Sequence, residues 1–374
     1  MILQQKILTL TYTEKLSKLN KATLTLLEMV SIVLVTYNRA ERLKLSIEDI
    51  LNQTFKDFEL IICDDCSTDE TEAVCRGFVA NDNRIKYYRH ASNLQMPANG
   101  NFGIQKSIYP YIAILHDGDR FKPDLIEQWY NAISKNDDIG FVFNSIGTTD
   151  GNDNLVRFED QFEEGILQGE FLLKKVFFRN WYFGSPVYGE AMVKKKLIEE
   201  NGFLKKRYGF YADVDLWMEI LHSKDAYYCA DTLISGPDKT LQPRLFDDDL
   251  IKEFLYLFRM QLAHRKKAFR HKPWELLKEL TICWSQALIS LNFRLLLLVK
   301  NFSFQSFVRA SKLLKKTFIF FASWIVILIL YPLLYPLLKA FKFVKQLNSR
   351  PLLANAMKAF SLIVEETIRG MSMI

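Results

Sequence analysis

The sequence predicts an α/β domain, with a mostly parallel sheet and helices on both faces, followed by an α-helical, membrane-associated C-terminal region. Three observations predict it. From Met29 onward, short β-branched apolar runs alternate with segments of helical periodicity, the alternation that builds parallel sheets. Polar residues gather where those runs end, the edge at which open α/β sheets bind ligands. Beyond Leu250 the charge balance inverts: residues 251–374 carry 20 Lys and Arg against 5 Asp and Glu, although the whole 374-residue chain has a net charge of only +6.

A chain of this length exceeds the usual single domain, so one large domain with a smaller appendage is expected. The boundaries read as an extension over 1–28, an α/β domain over 29–245 and a basic helical region over 246–374. The first 28 residues mix Lys, Thr and Leu without a compact apolar stretch or a small-residue cleavage site, so they read as an extension rather than a secretion signal.

Val30 to Val35 has the length and branching of a buried strand. TYNR ends it, and Leu43, Ile47, Ile50 and Leu51 follow at helical spacing. Phe58 to Cys63 is a second buried strand ending in Asp64 and Asp65. STDET then opens a helix, with Ser67 or Thr68 as its cap. Arg84 to Arg89 is a third strand, Pro97 to Ser107 a helix, and Tyr111 to Leu115 a fourth strand stopping at HDGD. Pro123 to Ser134 is helical, Gly140 to Ile146 a strand, Thr148 to Asn154 a polar loop and Val214 to His222 an amphipathic helix. ISGPDKTLQPRLFDDD has the Pro, Gly and Asp content of a linker. In the C-terminal region, Thr317–Leu338 is uncharged for 22 residues, about 33 Å as a helix and long enough to cross a bilayer. Basic residues flank it on both sides, and Pro332 and Pro336 could fold it back. Span, interfacial helix and buried core all remain open.

Asp117 and Asp119 form a D-x-D on a glycine turn after the fourth strand, which lets two carboxylates face one small volume. A divalent cation that bridges a diphosphate needs such hard oxygen ligands. Other strand ends add Thr36, Tyr37, Asn38 and Arg39, then Asp64 and Asp65. An aromatic face for a base, a carboxylate for its edge and ligands for a metal are thus all present. The pair Cys63 and Cys66 has redox spacing, but two aspartates fill the gap and no second Cys pair follows, so turn and packing roles are expected. No glycine fingerprint follows the first strand, which excludes a dinucleotide-binding dehydrogenase. The basic residues sit among long apolar runs, which argues for a membrane surface and against nucleic acid.

VSIVLVTYNR, QTFKDFELIICDDCSTDET, NGNFGIQKS, YIAILHDGDRFKPD, NGFL and ADVDLWMEI, in that order, resemble the family-2 inverting glycosyltransferases of GT-A fold, over about Val30 to Leu221. The resemblance implies that Tyr37 stacks on a nucleobase and Asp65 bonds its edge, with Thr36, Asn38 and Arg39 in the same pocket. It implies that Asp117 contacts ribose or diphosphate, that Asp119 binds Mn2+ or Mg2+, and that Asp213 is the general base, with Asp215 the other candidate. Three departures stand out: Ala212 precedes Asp213 where Glu is common, Glu219 stands where Arg is common, and no His follows the helix before His264. Lys239 or Arg244 could serve the diphosphate instead. Arg120 could touch a phosphate or face solvent, and His116 reads as a neighbour of the metal rather than a ligand. The processive QxxRW signature is absent, so single addition is expected. The implied activity is inverting transfer of one sugar from a nucleotide-diphosphate sugar, with a UDP-sugar favoured, to a membrane-linked or growing glycan acceptor. Its active site would lie on the cytoplasmic side of a membrane. The alternative is a catalytically silent nucleotide-sugar-binding scaffold.

Overall fold

Strand β1 (Val30–Thr36) is buried at all seven positions in the computed structural model, as a strand must be when both faces of its sheet are covered. The structure describes residues 28–150, 155–159, 162–179, 187, 189–237 and 249–300. β1 pairs in parallel with β2 (Phe58–Asp64) on one side and β4 (Tyr111–His116) on the other, and β3 (Ile85–Arg89) continues the parallel set beyond β2. The remaining strands are β5 (Arg120–Phe121), β6 (Ile139–Thr149), β7 (Leu155–Glu159), β8 (Gly165–Leu167), β9 (Ala191–Lys194) and β10 (Asp225–Pro237). They extend the sheet to the order β3-β2-β1-β4-β9-β6-β10-β5, with β7 on β6 and β8 on β10.

The sheet is mixed rather than mostly parallel. β1 to β4, β6 and β10 share one direction, but β9 runs against both β4 and β6, and β5, β7 and β8 are antiparallel to their partners. An antiparallel strand needs no crossover helix, so β9 can enter the sheet from its ligand-binding edge. The expected polar loop at Thr148 to Asn154 also differs. β6 runs through Thr149 and pairs with β7, because β-branched Thr148 and Thr149 suit a strand despite their polarity.

Helices cover both faces. α1 (Ala40–Leu51), α2 (Thr71–Asn81), α3 (Met96–Lys106) and α4 (Leu125–Ser134) follow successive strands. Leu43, Ile47 and Ile50 of α1 and Trp129 and Ile133 of α4 join Ile32 and Leu34 of β1 in one core. α3 lies close against the other face, where a Cβ on Gly103 would come within 2.5 Å of Val33 Cγ1. Asp69, rather than Ser67 or Thr68, organises the start of α2. Its Oδ1 accepts from Thr71 N at 3.1 Å and Thr71 Oγ1 at 2.5 Å, and its Oδ2 accepts from Ala40 N at 3.0 Å, tying the N-termini of α1 and α2 together. α5 (Lys195–Glu200) follows β9. α6 (Ala212–Ile220) starts two residues earlier than the periodicity predicts and packs Trp217 on Phe141, with centroids 5.1 Å apart.

The chain divides into two compact units, Met1–Leu245 and Phe246–Ile374. Within the second, α7 (Asp249–Ala268) and α8 (Pro273–Lys300) pack together, with Phe258 edge-on to Trp284 at 4.8 Å and the buried Arg265 facing Glu279 at 3.7 Å. Among the described residues no helix is long and apolar enough to cross a membrane. Thr317–Leu338, Lys239 and Arg244 lie outside the described residues.

Candidate active site at the carboxyl edge of the sheet

The end of β1 presents Thr36, Tyr37, Asn38 and Arg39. Tyr37 is 48% exposed, which leaves its ring face open to a planar ligand. Asn38 adopts φ +52, a conformation that asparagine tolerates better than most side chains. It is held there by Ser67 Oγ, which accepts from Asn38 N at 2.9 Å, and by its own Oδ1, which accepts from Thr68 N at 2.7 Å. Asp65 is buried beside this turn. Its two carboxylate oxygens accept from Leu94 N at 2.6 Å and Gln95 N at 2.9 Å. Each carboxylate oxygen has a second lone pair, so Asp65 can accept from a base while anchoring the 94–95 loop. Asp64 instead serves the scaffold, accepting from Ser67 N and Tyr87 Oη.

At the end of β4, Asp117 joins this group. Thr36 Oγ1 donates to its Oδ2 at 2.7 Å, and Arg39 Nη1 lies 3.3 Å from its Oδ1. Burial pushes the Asp117 carboxyl above its ordinary value, against the pull of Arg39 and Thr36. The turn that follows is fixed by Ser46 of α1, whose Oγ accepts from Gly118 N at 3.1 Å and donates to Asp119 O at 2.8 Å. Gly118 at φ +88 makes the turn possible. Asp119 is 2% exposed, and its carboxylate occupies space that a side chain at Gly236 would take: a Cβ there would lie 1.9 Å from Oδ1. Arg120, whose side chain is 36% exposed, pairs with α1. Its Nε and Nη2 reach the Asp49 carboxylate at 2.6 and 2.9 Å.

Antiparallel β9 completes the site. Its register sets Ala191 opposite Ile114, so Gly189 and Glu190, just before it, fall beside the residues that close β4. Glu190 Oε1 accepts from His116 N at 3.2 Å. One ligand atom each from His116, Asp119 and Glu190 lie within 4.8 Å of one another. An imidazole and two buried carboxylates are donors that fit a divalent cation. Gly189 has φ +91, and a Cβ on it would come within 2.5 Å of His116 Cε1 and 2.6 Å of Asp213 Oδ2. Asp213 thus meets the β4 end through a glycine contact. It sits in the first turn of α6, where the helix dipole favours an ionised carboxylate, and its Oδ1 accepts from Val214 N at 2.7 Å. Asp215, about 200° further round the helix, faces Lys205 Nζ at 3.0 Å, and Lys205 also reaches Glu219 at 2.8 Å.

The structure therefore brings Thr36, Tyr37, Arg39 and Asp117 together, and Asp119 with His116 and Glu190, while Asp215 belongs to an ion-pair group. Glu190, Gly189 and Ser46 lie against these candidate residues and were not singled out from the sequence. A lone acid directly ahead of an apolar strand, in GEAMV, is the signal that points to Glu190. Cys63 is buried and its thiol pushed up to about 12 by that burial, Cys66 stands half-buried in the turn at φ +67, and both are free.

Residues 31–202 match the family described as Glycosyl transferase family 2. An uncharacterized glycosyltransferase of Methanocaldococcus jannaschii is 30% identical over 199 residues, 52% of this chain and 64% of that protein. The GalNAc(5)-diNAcBac-PP-undecaprenol beta-1,3-glucosyltransferase of Campylobacter jejuni is 28% identical over 200 residues, 53% of this chain and 61% of that protein. The chain thus spans less than two thirds of the length of either relative. Residues 1–349 of S. aureus TarS, solved with UDP-GlcNAc, align with a TM-score of 0.53 at 15% identity, over 71% of this chain and 80% of that one. That likeness is one of fold.

Proposed function

We propose, for a chain whose residues 31–202 belong to glycosyl transferase family 2, that it transfers a single sugar, with inversion, from a UDP-sugar to a hydroxyl of a membrane-linked or growing glycan. The observation that carries the reading is the meeting of Asp213 with the His116–Asp119 turn across Gly189. It sets a candidate base beside candidate diphosphate and metal groups at one sheet edge. The UDP-GlcNAc complex of the similarly folded TarS supports the donor class. The undecaprenol-linked acceptor in the name of the Campylobacter relative supports a lipid-linked acceptor.

In this reading Tyr37 stacks on the base, and Asp65, Thr36, Asn38 and Arg39 line its pocket. Arg39, now on Asp117, is placed to share its charge with a diphosphate, and Asp117 orients ribose or diphosphate. Asp213 takes the proton from the acceptor hydroxyl as that oxygen attacks the anomeric carbon opposite the leaving diphosphate. Mn2+ or Mg2+ bound at Asp119 would supply Lewis-acid stabilisation of the departing charge. The basic C-terminal region, with its apolar Thr317–Leu338, would hold the site at the cytoplasmic face of a membrane.

The test is incubation of the full-length chain with UDP-, GDP- and dTDP-sugars and lipid-linked saccharide acceptors, followed by proton NMR of the product. A single added sugar of inverted anomeric configuration from a UDP-sugar is expected. A retained configuration would sink the single-displacement mechanism, and processive chains would sink single addition.

A further inference from the structure

Two side chains beside Asp119, His116 and Glu190, are of types that ligate metals and are given no role by the proposed function. Both are fixed by the fold. His116 is the last residue of β4, and Glu190 is set next to it by the antiparallel pairing of β9 with β4 and by its bond to His116 N at 3.2 Å. Glycines line the pocket on two sides: a Cβ at 189 would overlap His116, and a Cβ at 236 would overlap Asp119. Asp117, Asp119, Glu190 and Asp213 are exposed by only 9, 2, 2 and 8%. The Asp119 and Glu190 carboxylates therefore meet the His116 ring in a region largely closed to water.

We propose that His116 and Glu190 complete, with Asp119, a three-ligand site for a transition-metal dication, preferring Mn2+ to Mg2+, that fills without nucleotide. Around a cation at ~2.2 Å only one pair of three ligands can stand opposite, about 4.4 Å apart, and the other pairs lie about 3.1 Å apart, so ligand atoms within 4.8 Å of one another reach one ion by side-chain movements of up to about 1.7 Å. The imidazole decides the preference. Mg2+ favours oxygen ligands and keeps its waters, whereas first-row transition metals accept nitrogen readily. The inference rests on the glycosyltransferase reading for what the ion does, but not for whether it binds.

The test is pulsed electron paramagnetic resonance of Mn2+ bound to the full-length protein without nucleotide, with Mn2+ and Mg2+ affinities measured in parallel. The wild type is expected to show modulation from one imidazole nitrogen. His116→Gln should abolish it, weaken Mn2+ binding by about tenfold or more, and narrow the preference over Mg2+. Glu190→Gln should weaken binding but keep the nitrogen signal. A wild-type spectrum without nitrogen, or one that persists in His116→Gln, would overturn the site, and the wild-type spectrum answers even if the variants do not fold. UDP titration of the same samples separates the two claims. Asp119-dependent UDP binding with no nitrogen signal would leave the function standing and remove His116. Nitrogen-ligated Mn2+ with no affinity for any nucleotide would keep the site and sink the function.

Discussion

Replacing Gly189 by alanine is expected to cost activity more than stability. The added Cβ would come within 2.6 Å of Asp213 Oδ2 and 2.5 Å of His116 Cε1, where ordinary contact begins near 3.4 Å. The Asp213 carboxylate must therefore retreat by roughly 0.8 Å, and a misplacement near 1 Å can cost ~10²-fold in rate, about 2.7 kcal/mol of barrier. Holding alanine at φ +91 adds about 1–3 kcal/mol of backbone strain, or roughly 2–12 °C in Tm for a domain of this size. Initial rates of sugar transfer, thermal melting and UDP titration separate the effects. The expectation is a large loss in kcat/KM, a modest fall in Tm and unchanged UDP affinity in the absence of Mn2+, with the Mn2+-dependent part of UDP binding weakened because His116 is displaced as well. Unchanged kcat/KM in a folded variant would refute the placement of Asp213 at the reacting centre.

Three further substitutions divide binding, chemistry and stability. Tyr37→Ala should weaken UDP binding by about 1–3 kcal/mol, the worth of a stacked base, with no change in Tm because the ring is half exposed; calorimetry decides. Asp213→Asn should lower kcat by about 10²–10⁴ while leaving the UDP dissociation constant alone, and a loss of UDP affinity would assign Asp213 to the donor instead. Lys205→Met takes the ammonium from the buried Asp215 and should destabilise the domain by about 3 kcal/mol. Burial works against the Lys205 charge, but Glu219 and Asp215 outweigh it and raise its pKa. Its contribution therefore persists below the ordinary lysine value and is lost only as pH climbs through the raised one. Melting curves at neutral and strongly alkaline pH should show the gap to wild type closing at the latter.

The parts of the site that lie on one continuous stretch were legible in the sequence. The TYNR turn, the Asp64–Asp65 pair and the D-x-D each follow an apolar run whose end is visible from composition, because strand termini and turn residues are local properties. Glu190 and Gly189 were not legible. Their place depends on β9 inserting antiparallel between β4 and β6, pairings across about 80 and about 50 residues of chain that local periodicity does not encode. The same pairing made a sheet expected to be mostly parallel into a mixed one. Arg120 shows the converse: its pairing with Asp49, one turn beyond Ser46 on α1, joins residues 71 apart and cannot be read from its place next to the D-x-D. The cap of α2 was misplaced by one or two residues, because Asp69 serves two helix starts at once, and only the tertiary contact with Ala40 reveals the second.

Calorimetric titration of UDP, GDP and dTDP, with and without Mn2+, into the full-length wild type and Asp119→Ala tests the central claim most directly. The account predicts Mn2+-dependent binding of UDP in the wild type, with the Mn2+ dependence lost in the variant. Equal UDP affinity in both proteins, or no binding of any nucleotide to the wild type, would contradict it.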